Sequence, residues 1–180
     1  NDSLKKAEIY FNKDFKIDNT PYFLPYLSGE RTPHNKANLR GAFHLLSTST
    51  TYESLVYSII EGICFGIRDG VEAVNLINNK SSSIYLIGGG SKSSFWAKIL
   101  SSIVKENIII GKDSDLGPAL GAARLAMLST NQFSIDEIIK NVPVVNEYSY
   151  SQILSEKFDE RYQKWKNIVN VNLPLSNKIL

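Results

Sequence analysis

The stretch SSIYLIGGGSKSSFWAKIL, residues 82–100, constrains the fold more than any other part of the chain. A β-branched apolar run at 84–87 ends in Gly88, Gly89 and Gly90, and an amphipathic run at 95–104 follows with the spacing of a helix. A second buried run, NIIIG at 107–111, completes strand, helix, strand. Such a unit pairs its strands in parallel through a right-handed crossover, which places the chain in the α/β class. Consecutive glycines at the strand-to-helix turn leave backbone N–H groups uncovered at the positive end of the helix dipole, and such a corner suits a nucleotide. A tight turn in an ordinary α/β domain is the other reading of the same residues.

With 180 residues and 43% hydrophobic content, the rest of the chain can bury one core. A short helix is expected around residues 4–11. TPYFLPYLSGERTP then reads as a short strand entering a shaped loop, with Tyr22, Phe23 and Tyr26 in the core, and RGAFHLL at 40–46 as a second extended piece. Thr50 and Glu53 have the spacing of a capping box opening the longest helix, with Val56, Ile60, Ile63, Ile67, Val71 and Val74 on one face. Gly62, Gly66 and Gly70 recur every four residues there, at a cost in helix propensity that implies a very close neighbour. In SDLGPALGAARLAML, Pro118 suits the first turn of a helix, and Gly121, Ala122 and Ala123 keep one side thin. Ser134 and Glu137 cap a short helix. Leu154, Phe158, Tyr162, Trp165 and Val169 mark an amphipathic helix docked on the core.

Several function classes drop out. The net charge of +2 comes from interspersed charges without a basic block, so nucleic acid is not implied. The single cysteine, Cys64, excludes disulfides within the chain and cysteine metal sites; it reads as a small buried hydrophobe in a reduced, cytoplasmic protein. Neither His34 nor His44 has a catalytic context. Glu61, Arg68, Asp69 and Glu72 interrupt the most apolar helix, and the opening NDSLKKAEIY has no signal-peptide core, so a membrane is not expected. Gly88-x-Gly90 with Asp113 imitates a dinucleotide fingerprint, but Ser93 stands where the third glycine belongs. The spacing of Lys92 fails a P-loop, and DSDLG at 113–117 fails a calcium loop.

Five segments in order, FLPYLSGERTPHN, RGAFHLL, EGICFGIRDGVEAV, LIGGGSKSSFWAKIL and GPALGAARLA, resemble the C-terminal half of the xylulokinases among the FGGY carbohydrate kinases. The likeness runs from about residue 22 to 127 and extends more weakly to Tyr162 and Trp165; STSTTYESL departs from the pattern. The resemblance implies an α/β, actin-like ATPase (RNase H-like) C-terminal kinase domain over residues 1–180, incomplete, with a small sheet flanked by helices. ATP, with Mg2+, would lie in the cleft between two such domains. Gly88, Gly89 and Gly90 would lie beside the ribose and α-phosphate and Ser91 and Ser94 near the adenosine, with helix capping as the alternative for Ser91, Ser93 and Ser94. The implied substrate is D-xylulose, phosphorylated to D-xylulose 5-phosphate. A related kinase such as a ribulokinase or glycerol kinase is an alternative, and a dinucleotide-binding module is another.

By the same resemblance, the catalytic aspartate and most sugar contacts belong to sequence preceding the matched part. No catalytic or metal-ligating residue is therefore assigned here, and the chain reads as a truncated region. Alone it is expected to be inactive, with ATP affinity of roughly millimolar order. Glu30 and Arg31 would shape the cleft or form an exposed salt-bridged loop; Asp115 reads as the cap of the Pro118 helix, with a nucleotide contact as its alternative. Family members are often dimeric, which leaves a homodimer open.

Overall fold

The computed structural model of the chain describes residues 2–13, 15, 19–76, 83–130, 132–138 and 143–175, with side chains as far as residue 173. Helix α1 (Asp2–Lys13) precedes strands β1 (Tyr22–Leu24) and β2 (Ala42–His44), and the long helix α2 (Tyr52–Asn75) follows. Then come β3 (Ser83–Tyr85), α3 (Ser94–Val104), β4 (Asn107–Gly111), α4 (Gly117–Ser129), α5 (Ile135–Ile138), β5 (Val144–Tyr148) and α6 (Gln152–Leu175). β3 and β4 are parallel, with Ile84 opposite Ile108 and α3 as their crossover, as the strand, helix, strand pattern requires. β1 and β2 pair antiparallel, and the rings of Phe23 and Phe43 lie 4.8 Å apart across them.

Strand β5 goes beyond the sequence-based expectations. It pairs antiparallel with β4, placing Glu147 opposite Ile109, and gives the sheet the order β3-β4-β5. Four of its five side chains are exposed, so VVNEY carries neither the alternation nor the apolar run of a strand. The hydrogen-bonding edge of β4 supplies what the local pattern lacks.

Two expectations about α2 need correction. The capping box is formed by Thr51 and Ser54: Thr51 Oγ1 accepts from the Ser54 N–H at 3.2 Å, and Ser54 Oγ accepts from the Thr51 N–H at 3.0 Å. Thr50 is used one step earlier, its hydroxyl accepting from the Ser47 N–H to close the preceding turn. The buried face is also rotated from the expected apolar stripe, of which Ile60 is buried and Val74 is exposed. Tyr57, Ser58, Glu61, Gly62, Cys64, Phe65 and Asp69 face inward instead. β1 packs directly on this face at Gly62, where a Cβ would collide with the Phe23 carbonyl oxygen. A Cβ at Gly66 would lie 3.4 Å from the Pro25 ring, whereas one at Gly70 would meet none of the described residues within 4 Å. Cys64 is fully buried, and burial pushes its thiol pKa up, as for an inert core cysteine.

α6 closes the core with Phe158, Tyr162, Trp165 and Val169, all essentially inaccessible. The Trp165 indole N–H donates to the Phe23 carbonyl at 2.9 Å, and the rings of Phe65, Tyr162 and Trp165 pack within 6 Å of one another. Between α2 and α6 lies a buried ion pair. Arg161 donates to both oxygens of Glu61, at 2.7 and 2.5 Å, and to the carbonyls of Thr20 and Pro21, while its guanidinium lies 4.3 Å from the Tyr22 ring centre. Asp159 of α6 joins Arg68 of α2 and Lys105 at the end of α3, at 2.7 and 2.6 Å.

Removing one member of a buried pair strands the other charge. Arg161→Met should therefore cost about 3–5 kcal/mol of unfolding free energy, and adding Glu61→Leu should restore most of it; urea denaturation of the single and double variants checks both. Burial would raise the Asp159 and Glu72 carboxyls, but Lys105 and Arg68 on the first, and Arg68 and Tyr162 on the second, hold them below the usual carboxylate range. A depressed folded pKa contributes stability that is present above the unfolded values of about 3.9 and 4.3 and is lost as pH falls through the folded ones. The urea midpoint should thus drop below about pH 4, and Asp159→Asn should make that drop shallower.

Candidate functional site

The chain leaves the sheet at Ile87, after a last ladder bond from the Leu86 N–H to the Ile109 carbonyl at 2.9 Å. Gly88 has φ 82° and ψ −167°, a conformation that a side chain disfavours. Its N–H donates to the Ser114 carbonyl at 2.7 Å, and its own carbonyl accepts from the Ser91 N–H and hydroxyl, at 3.1 and 2.7 Å. A 3-10 turn, Gly89–Lys92, leads into α3, whose first turn is capped by Ser93 Oγ accepting from the Trp96 N–H. Among the described residues, a Cβ added at Gly88 or Gly89 would meet no heavy atom within 4 Å, and one at Gly90 would lie 3.8 Å from the Trp96 ring. Gly88 is thus explained by its φ; protein packing requires no glycine at 89. The chain presents bare backbone to open space at the N-terminal end of a helical turn, an arrangement suited to an anion.

A second turn faces the first. Asp113 adopts φ 60°, residues Ser114–Leu116 form a 3-10 turn, and Gly117, at φ 33°, hands over to α4 with Pro118 in its opening turn. The Gly117 Cβ position lies 3.8 Å from the Gly88 nitrogen. Lys92 Nζ spans the two turns to Asp115 Oδ2 at 3.0 Å, and this hydrogen-bonded ammonium holds the Asp115 carboxyl below its usual pKa. Asp115 therefore does not cap α4: Leu116 is the N-cap residue, with no side-chain cap bond. Ile87 and Leu116 are more than half exposed beside the turns, and α4 buries none of its residues. A Cβ added at Gly121 would meet none of the described residues within 4 Å.

Gly88, Gly89, Gly90, Ser91 and Ser94 are thus one contiguous corner. Within it the Ser91 hydroxyl bonds Gly88, Ser93 is the cap, and Ser94 is an exposed first residue of α3. Lys92, Ser114 and Gly117 complete the corner, and sequence reasoning does not place them in it; the charges of Lys92 and Asp115 and the Gly117-Pro118 pair are the signals that could have found them. The loop at 28–34 is organised differently from the expected salt bridge. Glu30 turns its carboxylate onto the N–H groups of Thr32 and His34, at 2.6 and 2.8 Å, and His34 Nε2 lies 2.9 Å from Asp69 Oδ2.

Residues 5–130 match the C-terminal domain of the FGGY family of carbohydrate kinases. The chain belongs to this family. A xylulose kinase of Escherichia coli (strain K12) is 34% identical over 155 residues, 86% of this chain and 32% of that protein. A xylulose kinase of Klebsiella pneumoniae is 39% identical over 110 residues, 61% of this chain and 23% of its own length. The chain thus spans a third or less of these curated relatives. Among solved structures, a xyloylose kinase from Brucella ovis superposes with a TM-score of 0.77 at 30% identity, covering 93% of this chain and 34% of that one. A gluconate kinase from Lactobacillus acidophilus gives 0.79 at 26% identity, covering 99% and 36%. The fold is that of the FGGY sugar kinases, an actin-like ATPase fold, and this chain carries part of it. The dinucleotide reading of Gly88-x-Gly90 and Asp113 gives way to the kinase one. Among the described residues, no helix is long and apolar enough to cross a membrane.

The two kinds of glycine can be told apart by substitution. Gly88→Ala must hold a side chain at positive φ and should lose about 1 kcal/mol, whereas Gly89→Ala meets open space and should change stability by less than about 0.5 kcal/mol. Thermal unfolding of the two variants measures the difference.

Proposed function

We propose that this chain forms the nucleotide-facing wall of a xylulokinase, which transfers the γ-phosphoryl group of ATP to D-xylulose and yields D-xylulose 5-phosphate. The open corner at Gly88 and Gly89 carries this reading, because side chains built there would meet no described atom within 4 Å. The similarity to xylulose kinases supplies the choice of sugar. In this assignment Gly88, Gly89 and Gly90 lie along the ribose and α-phosphate, and Ser91 and Ser94 flank the adenosine. Bound ATP supplies the transferable phosphoryl group; the chain's part is to orient it through the glycine turn and α3.

The acceptor hydroxyl needs a carboxylate to take its proton. The buried acids of α2 are unsuited to that role, because Glu61 is held by Arg161 and Asp69 accepts from the Tyr162 hydroxyl at 3.1 Å. In this reading the base and most sugar contacts come from the part of the kinase outside these residues. Among the described residues, no group of three or more His, Cys, Asp or Glu side chains is placed to hold a metal ion. Mg2+ is therefore assigned no ligand in this chain and would arrive with the nucleotide. A cytoplasmic setting fits the single buried thiol.

ADP release by the kinase containing this chain should be fastest with D-xylulose, ahead of D-gluconate, L-ribulose and glycerol. Gly89→Val should raise KM for ATP at least about tenfold by filling the open corner, with KM for the sugar and the melting temperature nearly unchanged. Faster turnover of another sugar would reject the substrate. An unchanged KM for ATP in Gly89→Val would reject the site.

A further inference from the structure

The ion pair between Lys92 and Asp115 joins the glycine turn to the turn that opens α4. Three observations bear on its role. Lys92 ends the same 3-10 turn that begins at Gly89, so its ammonium is tethered within a few bonds of the open backbone. Its side chain is 69% exposed and that of Asp115 is 41% exposed, so the pair is solvated and contributes little to folding. The two turns are already joined by the backbone bond from the Gly88 N–H to the Ser114 carbonyl, so the ion pair is not needed to hold them together.

A cation in that position has two partners to choose between when a polyanion enters the corner. Bound to Asp115 it is neutralised; bound to phosphate oxygens it makes stronger, charge-assisted hydrogen bonds to a more highly charged group. We propose that Lys92 is a transferable cation, held by Asp115 when the corner is empty and passed to the phosphate chain when a nucleotide binds, so that Asp115 tunes nucleotide affinity by competing for it. This rests on the nucleotide reading of the glycine turn and adds a pair of residues to it. It gives a role to an Asp115 carboxylate that bonds Lys92 across the turns while the N-cap of α4 is the neighbouring Leu116. It also ties recognition to phosphate rather than to the nucleoside, because a lysine ammonium gains little from adenosine.

The test is a double-mutant cycle read by calorimetric titration at fixed ionic strength, with ATP and adenosine as separate probes, on the kinase containing this chain and its Lys92→Met, Asp115→Asn and doubly substituted forms. Lys92→Met should weaken ATP about five- to tenfold, and Asp115→Asn should tighten it about two- to fivefold, with adenosine unchanged in both. In the Lys92→Met background, Asp115→Asn should have no further effect, since its action passes through the lysine. If Asp115→Asn tightens ATP equally without Lys92, the effect is long-range charge and the transfer is wrong. Equal shifts for adenosine, or no change in Lys92→Met, also overturn it while leaving the glycine turn as the nucleotide site. Failure of the unsubstituted kinase to bind either probe would overturn that site and the transfer together.

Discussion

The Arg161–Glu61 pair is the constraint around which the described part of the molecule is organised. Both side chains are inaccessible to solvent, so α2 and α6 must meet in the one register that lets the guanidinium fork grip the carboxylate. The remaining donors of Arg161 reach the carbonyls of Thr20 and Pro21, which fixes where the chain enters β1, and the Tyr22 ring covers the guanidinium face. An apolar pair of similar volume would pack there without selecting a register. The pair therefore contributes geometric specificity more than net stability.

From that anchor the support runs toward the glycine corner. α6 is pinned to α3 by Ser155 donating to the Ser102 carbonyl and by Ser102 Oγ accepting from the Ser151 N–H, at 2.9 and 3.2 Å. Asp159 holds Lys105 at the far end of α3 and Arg68 on α2. The helix whose N-terminus faces the open corner is thus fixed along its length by buried serines, an ion-pair cluster and an apolar underside of Phe95, Ala97, Ile99 and Leu100. A rigid backing is what a positioning site requires, since catalysis by orientation is lost through small displacements of the bound group.

The corner itself is built in the opposite way, from exposed backbone, a solvated ion pair and a helix, α4, that buries no side chain. Gly88 is accounted for by its positive φ, but no packing among the described residues calls for the glycine at 89 or for half-exposed Ile87 and Leu116. They leave that corner as open surface, the surface to which the proposed function assigns a nucleotide.

The sequence by itself determined the strand, glycine turn, helix, strand unit and the amphipathic tail, because each rests on local periodicity or on glycines and prolines whose backbone preferences act over a few residues; the family was legible through the resemblance of five ordered segments to known kinases. Phe158, Tyr162, Trp165 and Val169 were legible as a buried stripe for that reason. Only the tertiary structure decided the inward face of α2, since Glu61 and Asp69 are buried by partners 100 and 93 residues away in chain order, Arg161 and Tyr162 respectively. It likewise decided β5, a strand only because β4 offers an edge, and the fate of Asp115, whose charge goes to Lys92 across the two turns instead of to its own helix. Local pattern reports which residues can be buried or can cap; which of them do so depends on neighbours that only the fold brings within bonding distance.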